Sequence, residues 1–100
     1  MKLNELVANK PFENLIATIV SAGEVVEKEV GGNPTKMQDG VLEDDTDQIR
    51  FTFWGDAAGQ FKPGDKVIIK GFCKIFMDDK QVTNGKYGHV KLVPKLDPVM

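Results

Sequence analysis

Between Gln48 and Phe76 the chain carries two runs in which apolar and polar positions alternate. In the first, Ile49, Phe51 and Phe53 fall on one face and Arg50, Thr52 and Trp54 on the other, because successive side chains of a strand point to opposite faces. In the second, Val67, Ile69, Gly71, Cys73 and Ile75 share one face and Lys70, Phe72, Lys74 and Phe76 the other. A core buries only one of these faces. Each run is therefore expected to be a half-buried strand whose second face presents flat rings between cations to solvent.

The rest of the chain fits around these strands. Leu3, Leu6 and Val7 stand at helical spacing before Pro11, which predicts a short helix or turn over 2–9. Residues 12–30, rich in Val, Ile and Thr, predict a long strand bent near Gly23, where a missing Cβ permits a bulge. A turn at 31–34 leads to a second strand over 35–42, and the acidic stretch 43–47 reads as a tight turn, since Asp side chains bond their own backbone. The third strand covers 48–54. One helical turn over 56–61, with Asp56 at its N-cap, and a Pro-Gly turn at 62–65 precede the fourth strand, 66–76. A loop tip at 78–80 and a fifth strand over 81–92, interrupted at Asn84-Gly85, complete the pattern, with a loose tail from Pro94. Five short strands with a helical turn between the third and fourth predict an all-β fold, a small closed or nearly closed barrel forming a single domain over 1–100.

Composition adds constraints. The chain has 100 residues, 41% apolar and 28% charged, ordinary for a globular protein. No apolar run approaches the roughly 18 residues of a membrane span, and the first residues lack the apolar core of a signal peptide, so a cytoplasmic protein without membrane contact is expected. Cys73 is the only cysteine, which excludes an internal disulfide and a cysteine-based zinc site. The net charge of −2 conceals an asymmetry: residues 1–47 hold four lysines against ten carboxylates, a net of −6, and residues 48–100 hold nine cations against five carboxylates, a net of +4. The basic half is the half with the alternating strands, and local field matters more to a polyanion than the sum, because salt screens charge beyond about 8–10 Å.

Other chemistry is sparse. The acidic turn lacks the Gly and Glu spacing of a calcium loop, so no metal is expected. His89 is the only histidine and Ser21 the only serine, neither in a nucleophile motif. Cys73 lies on the apolar face, where a small buried thiol is the ordinary reading. No catalytic residue, cofactor or small-molecule substrate is expected. Rings interleaved with cations are instead what single-stranded nucleic acid requires, π-faces for bases and positive charge for phosphates.

The successive segments LEDDT, IRFTFWGD, AAGQFKPGDKVII and QVTNGKYG, spanning about residues 36–92, together resemble the OB-fold single-stranded DNA-binding proteins of archaea and their replication protein A-like relatives. The resemblance implies a five-stranded OB-fold barrel, a stacking role for Trp54, and two more stacking rings four residues apart on the next strand, which fall on Phe72 and Phe76. The alternation reaches the same residues and adds Arg50, Lys70 and Lys74 as phosphate contacts, Lys86 reaching the face from the fifth strand, and Thr52 and Thr83 as hydrogen-bonding groups along the groove. The chain departs from the family at Asp47, where Gly is common, and at Met77 and Asp78, where a basic residue and Gly are usual. No acidic tail of the kind that recruits partners in some relatives is expected. The implied ligand is single-stranded DNA, with RNA also in range, in replication, recombination or repair. The alternative is a protein-interaction module in a replication or repair complex, since one fold hosts several functions.

Overall fold

The structure is a computed structural model that describes residues 1–85 and 87–93; Lys86 and the tail from 94, both assigned above from sequence, lie outside the described residues. Strands β1 (Lys10–Ala22), β2 (Val26–Val30), β3 (Asn33–Glu43), β4 (Gln48–Trp54), β5 (Lys66–Phe76), β6 (Asp79–Thr83) and β7 (His89–Leu92) make up the fold, with one 3-10 turn before β1 at Leu3–Glu5 and another between β4 and β5 at Gly55–Ala57. The hydrogen-bonded path β1–β3–β4–β6–β5 returns to β1, closing a ring of five strands. All its pairings are antiparallel except β4 with β6. No described helix is long and apolar enough to cross a membrane.

Closure depends on β1, which pairs with β5 through its first half and with β3 through its last residues. A strand joins two edges only by bending. Here the register shifts twice, between Phe12 and Leu15 and again between Ile19 and Ser21, and Asn14 adopts a φ of 57° within the first shift. Bulges of this kind bend a strand and add local twist. Gly23, the bend expected from sequence, instead lies past the end of β1. Where β1 crosses β3, a Cβ on Gly40 would collide with the Ser21 carbonyl oxygen and the Phe51 ring, so only glycine fits.

The interior follows the alternation. Ile49, Phe51 and Phe53 of β4 and Val67, Ile69 and Cys73 of β5 are buried, with Leu15, Ala17 and Ile19 of β1 opposite. The Phe51 and Phe53 centroids lie 4.1 Å apart, and Phe61 meets Phe53 edge-on at 6.1 Å. Burial pushes the Cys73 thiol pKa up, as expected for an inert packed side chain.

Several expectations are corrected. The N-terminal helix shrinks to a 3-10 turn whose Leu3 and Leu6 are buried while Val7 is 58% exposed, and Pro11 lies inside β1. The predicted first strand divides in two, while the interruption expected at Asn84-Gly85 separates β6 from β7. Trp54, not Asp56, occupies the N-cap position of the second 3-10 turn, and it caps with no side-chain bond. Ile75, assigned to the core, is 41% exposed because the β5–β6 hairpin projects past the barrel there. Side-chain parity chooses a face, but burial also needs an opposing layer.

The acidic turn has a structural task. The Asp44 carboxylate accepts hydrogen bonds from the Leu3 N–H at 2.7 Å, the Thr46 N–H and hydroxyl at 2.7 and 2.6 Å, and the Asp47 N–H at 3.1 Å. Lys2 Nζ bonds Asp45 Oδ1 at 2.6 Å, and the Asn4 N–H bonds the Thr46 hydroxyl at 3.2 Å. The turn thus pins the N-terminal segment over one end of the barrel. Partial burial alone would raise the Asp44 pKa, but the four donors outweigh it and hold the value at about 2. A carboxylate whose pKa is depressed on folding contributes stability fully present above its ordinary value near 3.8, and that stability is lost as pH falls toward 2. We expect Asp44→Asn to lower stability by about 1–2 kcal/mol at pH 7 after allowing for solvent screening. In urea melts the gap from wild type should close between pH 4 and pH 2; a gap independent of pH would show that the charge is irrelevant.

Candidate nucleic-acid interface

Cross-strand partners share a face, so the register fixes how the outward side chains are arranged. Arg50 pairs with Gln81, which pairs with Lys74, placing one cation on each side of β6. With neighbouring strands about 4.8 Å apart, their backbones are roughly 10 Å from one another. The next row runs Asp39, Thr52, Thr83 and Phe72. Trp54 lies one outward position beyond Thr52 and pairs with Met37, while Phe76 lies two outward positions beyond Phe72, about 13 Å along β5. Phe72 is 37% and Phe76 58% exposed, with the half-buried Lys74 between them.

Trp54 is half-buried. It lines a cleft of about 700 Å³ that also takes in Val30 and Thr35 from the β2–β3 ribbon, and Asn84, Gly85 and His89 beyond β6. The register that puts Met37 beside Trp54 also places Val26 opposite Met37 on that face of the ribbon.

Asn84, which sequence reading treated only as a strand interruption, holds Trp54 in place. Its Oδ1 accepts from the Trp54 N–H at 2.8 Å and its Nδ2 donates to the Trp54 carbonyl oxygen at 3.0 Å. The side-chain amide thereby continues the parallel β4–β6 ladder one step past its last backbone pair, Thr52 with Thr83. The only available cue was the Asn-Gly dipeptide, which reads equally well as a turn.

Of the other residues named from sequence, Arg50 is exposed, and Lys70 Nζ lies 3.4 Å from the Glu13 carboxylate in an open ion pair. Thr52 and Thr83 face outward but are nearly buried, at 4% and 7% exposure. The Thr52 hydroxyl donates to Asp39 Oδ1 at 2.7 Å, and the Thr83 hydroxyl accepts from the Gly85 N–H at 3.2 Å. Both hydroxyls are thus engaged within the groove wall. Lys86 lies outside the described residues.

No protein-family profile matches the chain, and no curated protein matches it in sequence. Solved structures do match. An OB domain from Thermoplasma acidophilum is 23% identical with a TM-score of 0.78, over 100% of this chain and 92% of that one. The second OB-fold domain of replication protein A from Methanococcus maripaludis is also 23% identical, with a TM-score of 0.79 over 98% of this chain and 100% of that one. A replication protein A heterotrimer bound to single-stranded DNA matches at 13% identity and a TM-score of 0.68, over 93% of this chain and 24% of that one. The barrel is an OB-fold.

Replacing Asn84 with Ala would leave the Trp54 peptide unpaired in a nearly buried site. We expect a loss of about 1–3 kcal/mol in denaturant melts and a red shift of Trp54 emission as its backbone loosens. Unchanged emission together with unchanged stability would mean that water substitutes for the amide.

Proposed function

We propose that the protein binds single-stranded DNA, with RNA as a second ligand, stacking bases on Trp54, Phe72 and Phe76 and drawing phosphates to Arg50, Lys70 and Lys74. Lys86 is proposed as a further phosphate contact. The observation that carries this reading is the pair of exposed rings on β5 with Lys74 between them, facing the same side as Arg50. An exposed aromatic pair calls for an occupant. Each stacked base is worth about 1–3 kcal/mol, so three rings supply much of the roughly 8 kcal/mol of a micromolar complex without reading sequence. The OB-fold supports the reading, because its outward sheet face and flanking loops commonly hold oligonucleotides. So does the likeness to a domain of a heterotrimer bound to single-stranded DNA. On this reading the protein is not an enzyme, and it protects or presents single strands in the cytoplasm during replication, recombination or repair.

A second reading, docking of a replication or repair protein, is favoured by the hairpin tip, where Ile75, Phe76 and Met77 are 41%, 58% and 81% exposed. The two differ in their response to salt. Because Trp54 is the only tryptophan, oligo-dT should quench the intrinsic fluorescence. Log affinity should fall against log salt with a slope of about −2 if three cations neutralise phosphates, or about −3 with Lys86 as a fourth. Absence of both quenching and a mobility shift would sink the nucleic-acid reading and leave protein docking. Phe72→Ala and Phe76→Ala should each weaken binding about fivefold or more while thermal melts stay close to wild type; unfolding of either variant would show that its ring is structural.

A further inference from the structure

A second cavity, of about 510 Å³, opens along the middle of β5, on the side of Phe72 away from Phe76, lined by Pro11, Glu13, Lys70, Phe72 and Tyr87. Two features of the chain create it. The partner strand on this edge of β5 is broken: β6 pairs as far as Phe72 opposite Thr83, and β7 resumes at Lys70 opposite His89. A Cβ on Gly88 would collide with the carbonyl oxygens of Asn84 and Lys70, so glycine lets the chain close against β5. Tyr87, the residue before it, is 85% exposed at the cavity rim. On the other edge, β1 bulges between Phe12 and Leu15, and Glu13 of that bulge lies 3.4 Å from Lys70.

We infer that this cavity is a subsite for one nucleotide of the bound strand, its base against the Phe72 and Tyr87 rings and its phosphate on Lys70. The inference rests on the nucleic-acid reading above and adds to it a fourth ring and a path. This cavity and the Trp54 cleft share Asn84, Gly85 and Gly88, so a strand leaving Trp54 passes over these three residues into the subsite. Glu13 is the gate. With 66% and 46% of the two side chains exposed, the Glu13–Lys70 pair is of the weak, solvated kind that a phosphate can replace.

The test is oligo-dT titration of the full chain, read by Trp54 emission, for wild type, Tyr87→Ala, Tyr87→Phe and Glu13→Gln, with thermal melts alongside. Tyr87→Ala should weaken binding by about fivefold to a hundredfold, the span of one stacked base. Tyr87→Phe should stay within about twofold of wild type, because the ring and not the hydroxyl carries the contact. Glu13→Gln should tighten binding a few-fold by releasing Lys70, on the order of one surface pair. Wild-type affinity in Tyr87→Ala, an equal loss in Tyr87→Phe, or no gain in Glu13→Gln would overturn the subsite while leaving the general reading intact. Failure of the wild type itself to respond to oligo-dT would remove both.

Discussion

The structure depends on β1 meeting two sheet edges at once. Without the two bulges, a strand of this length would lie along β5 and leave β3 open, and the five strands would form a sheet with two free edges. Closure creates an inside, and the inside decides the function of the outside. Once Phe51 and Phe53 fill the barrel, strict alternation leaves Arg50, Thr52 and Trp54 facing away from it. Gly40 belongs to the same constraint, because the crossing of β1 over β3 leaves no room for a Cβ beside the Phe51 ring. A bulkier residue there would separate the two strands whose contact closes the ring.

The second organising feature is the break in the ladder along β5. A continuous partner strand would give a smooth wall with no recess. Splitting it into β6 and β7 interrupts the pairing with β5 past Thr83, and on the other edge of β6 the Asn84 amide carries the ladder with β4 one step further by bonding the Trp54 N–H and carbonyl oxygen. Asn84 therefore anchors the backbone that carries the Trp54 ring of one cleft and lines the wall of the next. A side chain performs this because a backbone that continued the ladder would fill the space in which the recess opens.

Much of the fold was legible because β4 and β5 alternate without interruption: their limits, 48–54 and 66–76, coincide with the observed strands. Parity also placed Phe72 and Phe76 together outside. What stayed hidden depended on contacts distant in sequence. Nothing local distinguishes Ile75 from Ile69; one has a barrel opposite it and the other projects beyond. The β1 bulges were invisible for a similar reason, since an extra residue in a strand shows only against the partner's register. Asp44 looked like a turn former, and it is one, but the Leu3 N–H that it accepts lies forty-one residues away. Tyr87 stands in the segment QVTNGKYG, yet its exposure comes from the close approach of Gly88 to Asn84 and Lys70.

Charge and stacking contribute unequally on the proposed face. The acidic half of the chain is largely directed elsewhere: Asp44 and Asp45 hold the N-terminal segment, and Glu27 and Glu29 alternate to the ribbon face opposite Val26 and Val30. Asp39 remains beside Thr52, which donates to it, and Asp79 pairs with Phe76. Carboxylates thus stand among the cations, and Lys70 already has Glu13 within 3.4 Å. Three phosphate contacts on single-stranded DNA would change affinity by only about twentyfold over a fourfold change in salt, under about 2 kcal/mol. Three stacked bases are worth about 3–9 kcal/mol. On those magnitudes the proposed binding would take its grip from the rings and its alignment from the cations, so a net charge of −2 is compatible with a polyanionic ligand.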